Sequence, residues 1–393
     1  MMLRDLRSGG LLQGRQLEVF RHRTGQECGY EKDQEDTFCL LHPGNEEKGT
    51  VYPLVVVFHS GGHDCYSAVG CNYYPGNHDL YHVPEQMFGL FLDCREHFER
   101  DWWWGGQNAW GQGPETFRGI EPQPVERRCI TTLQWVLDNY PVDRFRVYGV
   151  GISMGGSGAL GVGLCRGDLF AALKVGVAAG VRHASDRCCL EGTMPEGFSI
   201  PDPPVVVDFS AQNDRWSDGH EVLYRGMQER RYALYGFWGM FGHDGNHGRV
   251  AEFNDLVEAF DLWSVRGDRA YPVFTEASTD DPIPWPDNLA SEAPGQVNGF
   301  FRWENGKDTE QSFSISLRLL SQEEWKTRIP VPRSSTANVT LRRLQRFRLA
   351  PGERFSFSFG DRTGTSFANA EGKPEVQGLT VTDAPQMLTL RKS

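Results

Sequence analysis

Ser153 lies in Gly151-Ile152-Ser153-Met154-Gly155, a G-x-S-x-G pentapeptide that follows the apolar run FRVYGV and precedes an apolar helical pattern. A serine hydroxyl is a weak nucleophile until a neighbouring base takes its proton. A sharp strand-to-helix turn lifts such a hydroxyl clear of the chain, and glycines flank it because strand and helix approach closely there. A phosphate-cradling loop would also be glycine-rich. The segment lacks a Gly-Lys-Ser/Thr ending, and no G-x-G-x-x-G is followed by an acidic residue at the end of the next strand. The weaker alternative is a purely structural glycine turn. Ser157, a helical turn later, is expected to face the packed sheet.

A nucleophilic serine of this kind needs an oxyanion loop before it, then an acid and a histidine after it, in that order. His59-Ser60-Gly61-Gly62 follows an apolar run at residues 51–59. The N–H groups of Gly61 and Gly62, with that of Met154, are the candidate oxyanion donors. Asp214 comes four residues beyond the run PVVVDFS and is the candidate acid, with Asp208 and Asp218 as competitors. In FGHDGNH, His243 is the candidate base and His247 the alternative. The chemistry expected is acyl transfer through a covalent acyl-enzyme.

Aromatic residues are dense around these segments. The stretch DWWWGGQNAW supplies Trp102, Trp103, Trp104 and Trp110, and residues 64–86 include Tyr73. They are candidate substrate-binding residues on loops, suited to stacking on sugars or aromatic acyl groups. The competing reading places Trp102 to Trp104 between core and a domain interface. His59 and His63, His78 and His82, and His243 and His247 each stand four apart. That spacing holds a metal on a helix, but all three pairs sit in loops and none carries H-E-x-x-H. Neither a metal nor an organic cofactor is expected.

The elements that must position these residues are legible from periodicity. Near-continuous apolar runs at residues 51–59, 87–94, 145–150, 173–181, 204–210 and 231–238 read as strands buried on both faces. Helical patterns at residues 125–140, 220–231 and 250–263 alternate with them, so a mostly parallel sheet with helices on both faces is expected. Shorter alternating runs at residues 15–50 read as antiparallel strands opening that sheet. Residues 1–266 form the expected catalytic domain. Residues 267–295, rich in proline and acid, read as a linker. Residues 296–393 read as an all-β domain of sandwich type.

Composition narrows the function classes. The chain has 393 residues and a formal net charge of −12, against the basic footprint that nucleic-acid binding requires. Its basic cluster, LRRLQRFRL, reads as the solvated face of a strand. No run of about 18 apolar residues appears, so no membrane helix is expected. The opening MMLRDLRSGG lacks the apolar stretch of a signal peptide. A cytoplasmic protein is the default expectation, and a secreted or periplasmic one follows if a leader has been removed. The nine cysteines do not form a disulfide scaffold, although Cys65 with Cys71 or Cys28 with Cys39 are candidate bridges.

Residues 120–180 resemble the central block of polysaccharide-directed esterases with the α/β-hydrolase fold: feruloyl esterases, acetylxylan esterases and polyhydroxybutyrate-depolymerase-like enzymes. Asp143 and Arg146, then Ser153-Met154-Gly155-Gly156, then Asp168-Leu169-Phe170-Ala171 carry the resemblance. The HSGG stretch is similar to their His-Gly-Gly-Gly oxyanion turn, with Ser60 in place of a glycine. The resemblance spans roughly residues 36–263 and leaves the C-terminal β domain outside. It implies a serine esterase acting on an ester substrate, including acyl or feruloyl esters of plant polysaccharides. The alternatives are a prolyl-oligopeptidase-like peptidase and a catalytically silent carbohydrate-binding homologue.

Overall fold

The computed structural model of the chain describes residues 2–4, 10–72, 78–94, 102–105, 119–243, 257–285, 293–324 and 330–393. Four antiparallel strands come first: β1 (Met2–Arg4), β2 (Gly10–Leu12), β3 (Arg15–Thr24) and β4 (Gln34–Leu41). Six mutually parallel strands follow: β5 (Tyr52–Phe58), β6 (Phe88–Leu92), β7 (Val142–Ile152), β8 (Ala172–Gly176), β9 (Val205–Ala211) and β10 (Leu234–Gly239). Between them run α1 (Cys65–Cys71), α2 (Pro124–Asn139), α3 (Met154–Gly163), α4 (Arg182–Arg187) and α5 (His220–Glu229).

The parallel strands lie in the order β6-β5-β7-β8-β9-β10. After β5 the chain crosses to β6 on one side, then returns past β5 to lay β7 on the other. The crossovers therefore diverge at the carboxyl ends of β5 and β7, which leaves a crevice there. HSGG follows β5 directly and Ser153 follows β7.

Each strand feeds two cores because its side chains alternate. Leu54, Val56 and Phe58 enter one core, while Val55 and Val57 enter the other. The first core receives α2 through Val125, Cys129, Leu133 and Val136, α3 through Ala159 and Leu160, and α5 through Leu223 and Met227. The second core receives α1 through Cys65, Ala68 and Val69. It is continuous with the C-terminal strands. Each valine, leucine or methionine among them contributes about 1.5–3 kcal/mol on burial. The start of α1 is fixed by a reciprocal cap: Ser67 N–H donates to Asp64 Oδ1 at 2.7 Å, and Asp64 N–H donates to Ser67 Oγ at 2.8 Å.

Several expectations need correction. The run at residues 173–181 is a strand only to Gly176, because Val177 takes φ 40° and turns the chain back toward Ser153. The segment at residues 267–295 is an irregular linker only in part, with residues 276–285 free of strand or helix. It supplies β11 (Tyr271–Thr275), and β12 (Gly295–Val297) pairs antiparallel with β10 at the edge of the large sheet. Of the helix expected over residues 250–263, residues 250–256 lie outside the described residues, and the rest is helical only at residues 257–258 before a short 3-10 turn at Leu262–Ser264.

The rest of the chain comprises β13 (Phe301–Asp308), β14 (Ser312–Leu319), β15 (Ser334–Arg342), β16 (Arg354–Phe359), β17 (Arg362–Phe367), β18 (Glu375–Thr382) and β19 (Gln386–Lys392). They form two antiparallel sheets, β11-β15-β18 and β13-β14-β19-β16-β17. Val339, Leu341, Leu379 and Val381 of the first share a core with Ile315, Leu317, Phe355 and Leu390 of the second.

The basic cluster is corrected in part, since Arg346 and Arg348 are exposed as expected. Arg342 and Arg343 are buried at the junction with the parallel sheet. Arg342 pairs with Asp202 at 2.9 Å and Glu371 at 3.0 Å, and donates to the carbonyl of Arg230. Arg343 donates to the carbonyls of Phe170, Ala171, Pro203 and Arg266. A planar guanidinium with five donors suits such a carbonyl cluster. All nine cysteines are free, and the thiol of Cys65 lies 3.8 Å from Cys39 rather than bonding Cys71.

Candidate active site

Ser153 occupies the corner between β7 and α3 with φ 57° and ψ −123°. For a residue with a side chain this backbone costs about 1–3 kcal/mol and persists only where its surroundings impose it. Its N–H donates to Gly176 O at 2.9 Å, and its carbonyl accepts from Ala179 N–H at 3.0 Å. The flanking glycines are steric requirements. A Cβ on Gly151 would stand 2.1 Å from the Gly155 carbonyl oxygen, and one on Gly155 would stand 2.0 Å from that of Phe58. Ser157 is fully buried and donates to the Ala179 carbonyl, so it is a structural hydroxyl.

The structure brings Ser153, His243 and Asp214 together. Ser153 Oγ lies 2.7 Å from His243 Nε2, and His243 Nδ1 lies 2.6 Å from Asp214 Oδ2. The carboxylate only accepts, so Nδ1 carries the proton and Nε2 is left to accept from the serine. The Asp214 side chain is 1% exposed and that of His243 is 22% exposed, so the acid is sealed while the base faces the crevice. Asp214 Oδ1 accepts the Trp216 N–H at 2.8 Å. Gly242, at φ 64°, donates its N–H to Asn213 Oδ1 at 2.9 Å and ties the histidine loop to the acid loop. His247 lies outside the described residues.

The competing acids are otherwise engaged. Asp208 is fully buried, accepts from Tyr224 Oη at 2.6 Å, and has its pKa raised by burial. Beside it, Ser210 Oγ lies 2.9 Å from His220 Nε2, and His220 Nδ1 donates to Ser217 O at 2.9 Å. This second serine-histidine-aspartate cluster is sealed in the core and props the acid loop from behind. Asp218 is exposed and pairs with Arg182.

Met154 opens α3, so its N–H has no helical carbonyl four residues back. Gly61 and Gly62 form the exposed turn after β5, with Gly62 at φ 78°. Phe58 of β5 stands in register with Gly151 of β7, and Gly155 abuts the Phe58 and His59 carbonyls. The start of α3 and the Gly61-Gly62 turn therefore rise from adjoining strand ends. Ser60 Oγ lies 3.1 Å from His78 Nε2.

The His59 side chain has a structural role that the sequence analysis does not assign to it. The fully buried ring donates from Nδ1 to Ser60 O at 2.9 Å, and its Nε2 accepts the Cys94 N–H at 3.1 Å beside Asp93. Trp103 Nε1 donates to the His59 carbonyl at 2.9 Å. The turn is thus cross-linked to the carboxyl end of β6. The polar residue ending an otherwise apolar run was the available signal.

Trp103 and Trp104 do not stack on a ligand. Both are buried: Trp103 lies edge-on to Phe58, and Trp104 packs near His183. Trp102 packs on the same core, partly buried, 5.1 Å from the Trp104 ring. Tyr73 and Trp110 lie outside the described residues. Trp216, two residues past the acid, was missed as a site residue. Its ring stands 5.9 Å from that of His243.

No protein-family model matches the sequence, and no curated protein does. Solved structures do resemble the chain. One is an S-formylglutathione hydrolase from Agrobacterium tumefaciens, at 14% identity and TM-score 0.42, covering 61% of this chain and 92% of that one. A ferulic acid esterase matches at 14% identity and TM-score 0.43, over 63% of this chain and 98% of that one. A CE1 ferulic acid esterase from Anaeromyces mucronatus matches at 16% identity and TM-score 0.35, over 58% and 85%.

Proposed function

We propose that this protein is a serine carboxylic-ester hydrolase of the α/β-hydrolase type, with Ser153, His243 and Asp214 as its catalytic residues. The observation that carries the reading is the unbroken chain of hydrogen bonds from Ser153 Oγ through His243 to Asp214. Its position at the β5–β7 switch point and the strained serine backbone support it further.

In acylation, the Ser153 proton passes to His243 Nε2 as Oγ bonds the ester carbonyl carbon. The oxyanion forms against the N–H of Met154 and those of the Gly61-Gly62 turn. Collapse breaks the bond to the alcohol oxygen, which takes the proton from Nε2. Water then repeats the sequence on the acyl-enzyme and releases the acid. Asp214 keeps the imidazole in one tautomer and stabilises its charged form. The resemblance of residues 36–263 to polysaccharide-directed esterases supports acyl or feruloyl esters of plant polysaccharides as substrates.

A fluorophosphonate probe tests the reading. The native protein should be labelled at Ser153, and the Ser153→Ala variant should not. p-Nitrophenyl acetate, methyl ferulate and a peptide anilide should be assayed alongside. Turnover of the anilide above both esters would make the protein a peptidase, and an unlabelled native Ser153 would make it a silent homologue.

A further inference from the structure

We infer that Ser60 is a positioning residue: its hydroxyl, held by His78 and Tyr81, sets the Gly61-Gly62 turn against the nucleophile corner before any substrate arrives. The inference rests on the esterase reading above and adds to it the groups that hold the oxyanion turn in place.

The turn needs holding. Ser60 and His63 close it, with the His63 N–H donating to the Ser60 carbonyl at 3.2 Å. Gly61 and Gly62 lie between them, and Gly62 takes φ 78°. Two adjacent glycines have wide backbone freedom. A Cβ built on either would meet no described atom within 4 Å, so packing does not fix the tip. Donors that must wait in one geometry for a developing charge are then fixed from the base of the turn.

Ser60 is that base, and it is buried and gripped twice. The His59 ring donates to its carbonyl at 2.9 Å, and its hydroxyl lies 3.1 Å from His78 Nε2. His78 has φ 52° and ψ 52° ahead of the 3-10 turn Asp79–Tyr81. A residue with a side chain keeps that left-handed backbone where its contacts impose it. Its ring stacks on Tyr81 at 5.2 Å and stands 4.8 Å from the ring of His63. His78 therefore meets both ends of the glycine turn.

Tyr81 carries the clamp to the nucleophile. It is fully buried in the second core together with Ile152. Its hydroxyl lies against Ser60 and against the backbone of Ile152. Ile152 is the last residue of β7 and directly precedes Ser153. One fixed phenol ring thus sets the turn relative to the nucleophile. The oxyanion exists only during the reaction, so loosening its donors raises the barrier and leaves substrate binding alone.

Kinetics on p-nitrophenyl acetate test the clamp, with kcat expressed per site labelled by fluorophosphonate so that only folded, reactive protein is counted. Ser60→Ala keeps the Cβ and removes the hydroxyl. Its kcat and kcat/KM should fall together by about fivefold to tenfold, the worth of one hydrogen bond, with KM unchanged. Ser60→Gly should lose more, because it also frees the backbone at the base of the turn. His78→Asn removes the imidazole while keeping a residue that tolerates the left-handed backbone. It should cost about as much as Ser60→Ala, and the double variant should cost no more than either alone. An unchanged kcat per labelled site in Ser60→Ala, a loss carried by KM alone, or additive losses in the double variant would overturn the clamp and leave the esterase reading standing. A native protein that neither hydrolyses the ester nor takes the fluorophosphonate would remove both.

Discussion

Asp214 does two things at once: one oxygen holds the His243 ring and the other is held by the Trp216 N–H. Removing only its charge separates these roles. In Asp214→Asn, the amide oxygen can keep the Trp216 bond, but the group facing Nδ1 no longer enforces one tautomer. Turnover should fall by about three to four orders of magnitude, while the melting temperature and circular dichroism stay close to those of the native protein. A loss of fold in step with the loss of turnover would instead make Asp214 a structural residue. The serine was legible because a nucleophile at this turn requires small residues at fixed offsets. The side-chain contacts of His59 and Trp216 were not, because each depends on which atoms a distant loop brings near.

At the scale of elements, α4 carries a buried histidine that the chemistry does not use. His183 is fully buried, with ring nitrogens 3.2 Å from the carbonyls of Gly180 and Ser157. Burial, with the nearby Arg187 charge, pulls its pKa from 6.5 down to about 4. The unfolded chain therefore binds a proton between about pH 6.5 and 4 that the folded chain refuses. Stability associated with this group is present above that window and is lost as pH falls through it. Against a His183→Gln variant, the native protein should lose melting temperature on going from pH 7.5 to pH 4.5. A difference between the two that is constant across this range would contradict the assignment. The site and α4 are linked, because His183 Nε2 lies 3.2 Å from the carbonyl of Ser157 in the nucleophile helix.

For the whole molecule, the C-terminal sheets share the second core with the parallel sheet, so the halves are expected to unfold together. Arg342 joins them through Asp202, a carboxylate held below its usual range against its own burial by the charges of Arg342 and Lys373. Arg342→Met should destabilise the chain by about 3–5 kcal/mol, as loss of one member of a buried pair does. Calorimetry should show a single transition in the native protein. Two transitions, with only the upper or lower one shifted in the variant, would show that the halves are energetically separate.

By itself the sequence determined the alternation of apolar strands and helices, the nucleophile corner and the chain order of serine, acid and histidine. Those features rest on local rules: side-chain period, glycine at a close approach, and polar residues at strand ends. Tertiary structure alone decided what depends on contacts between remote segments. It took Arg342 and Arg343 of LRRLQRFRL out of the expected solvated face and buried them, because carbonyls of residues 170–171, 203 and 266 converge on Arg343, while Arg346 and Arg348 stay exposed. It likewise drew the two ends of the expected linker into strands, because partners for residues 271–275 and 295–297 lie elsewhere in the chain. It placed Trp103 and Trp104 in the core and Trp216 beside His243, since an indole suits a core or a cleft equally until packing chooses.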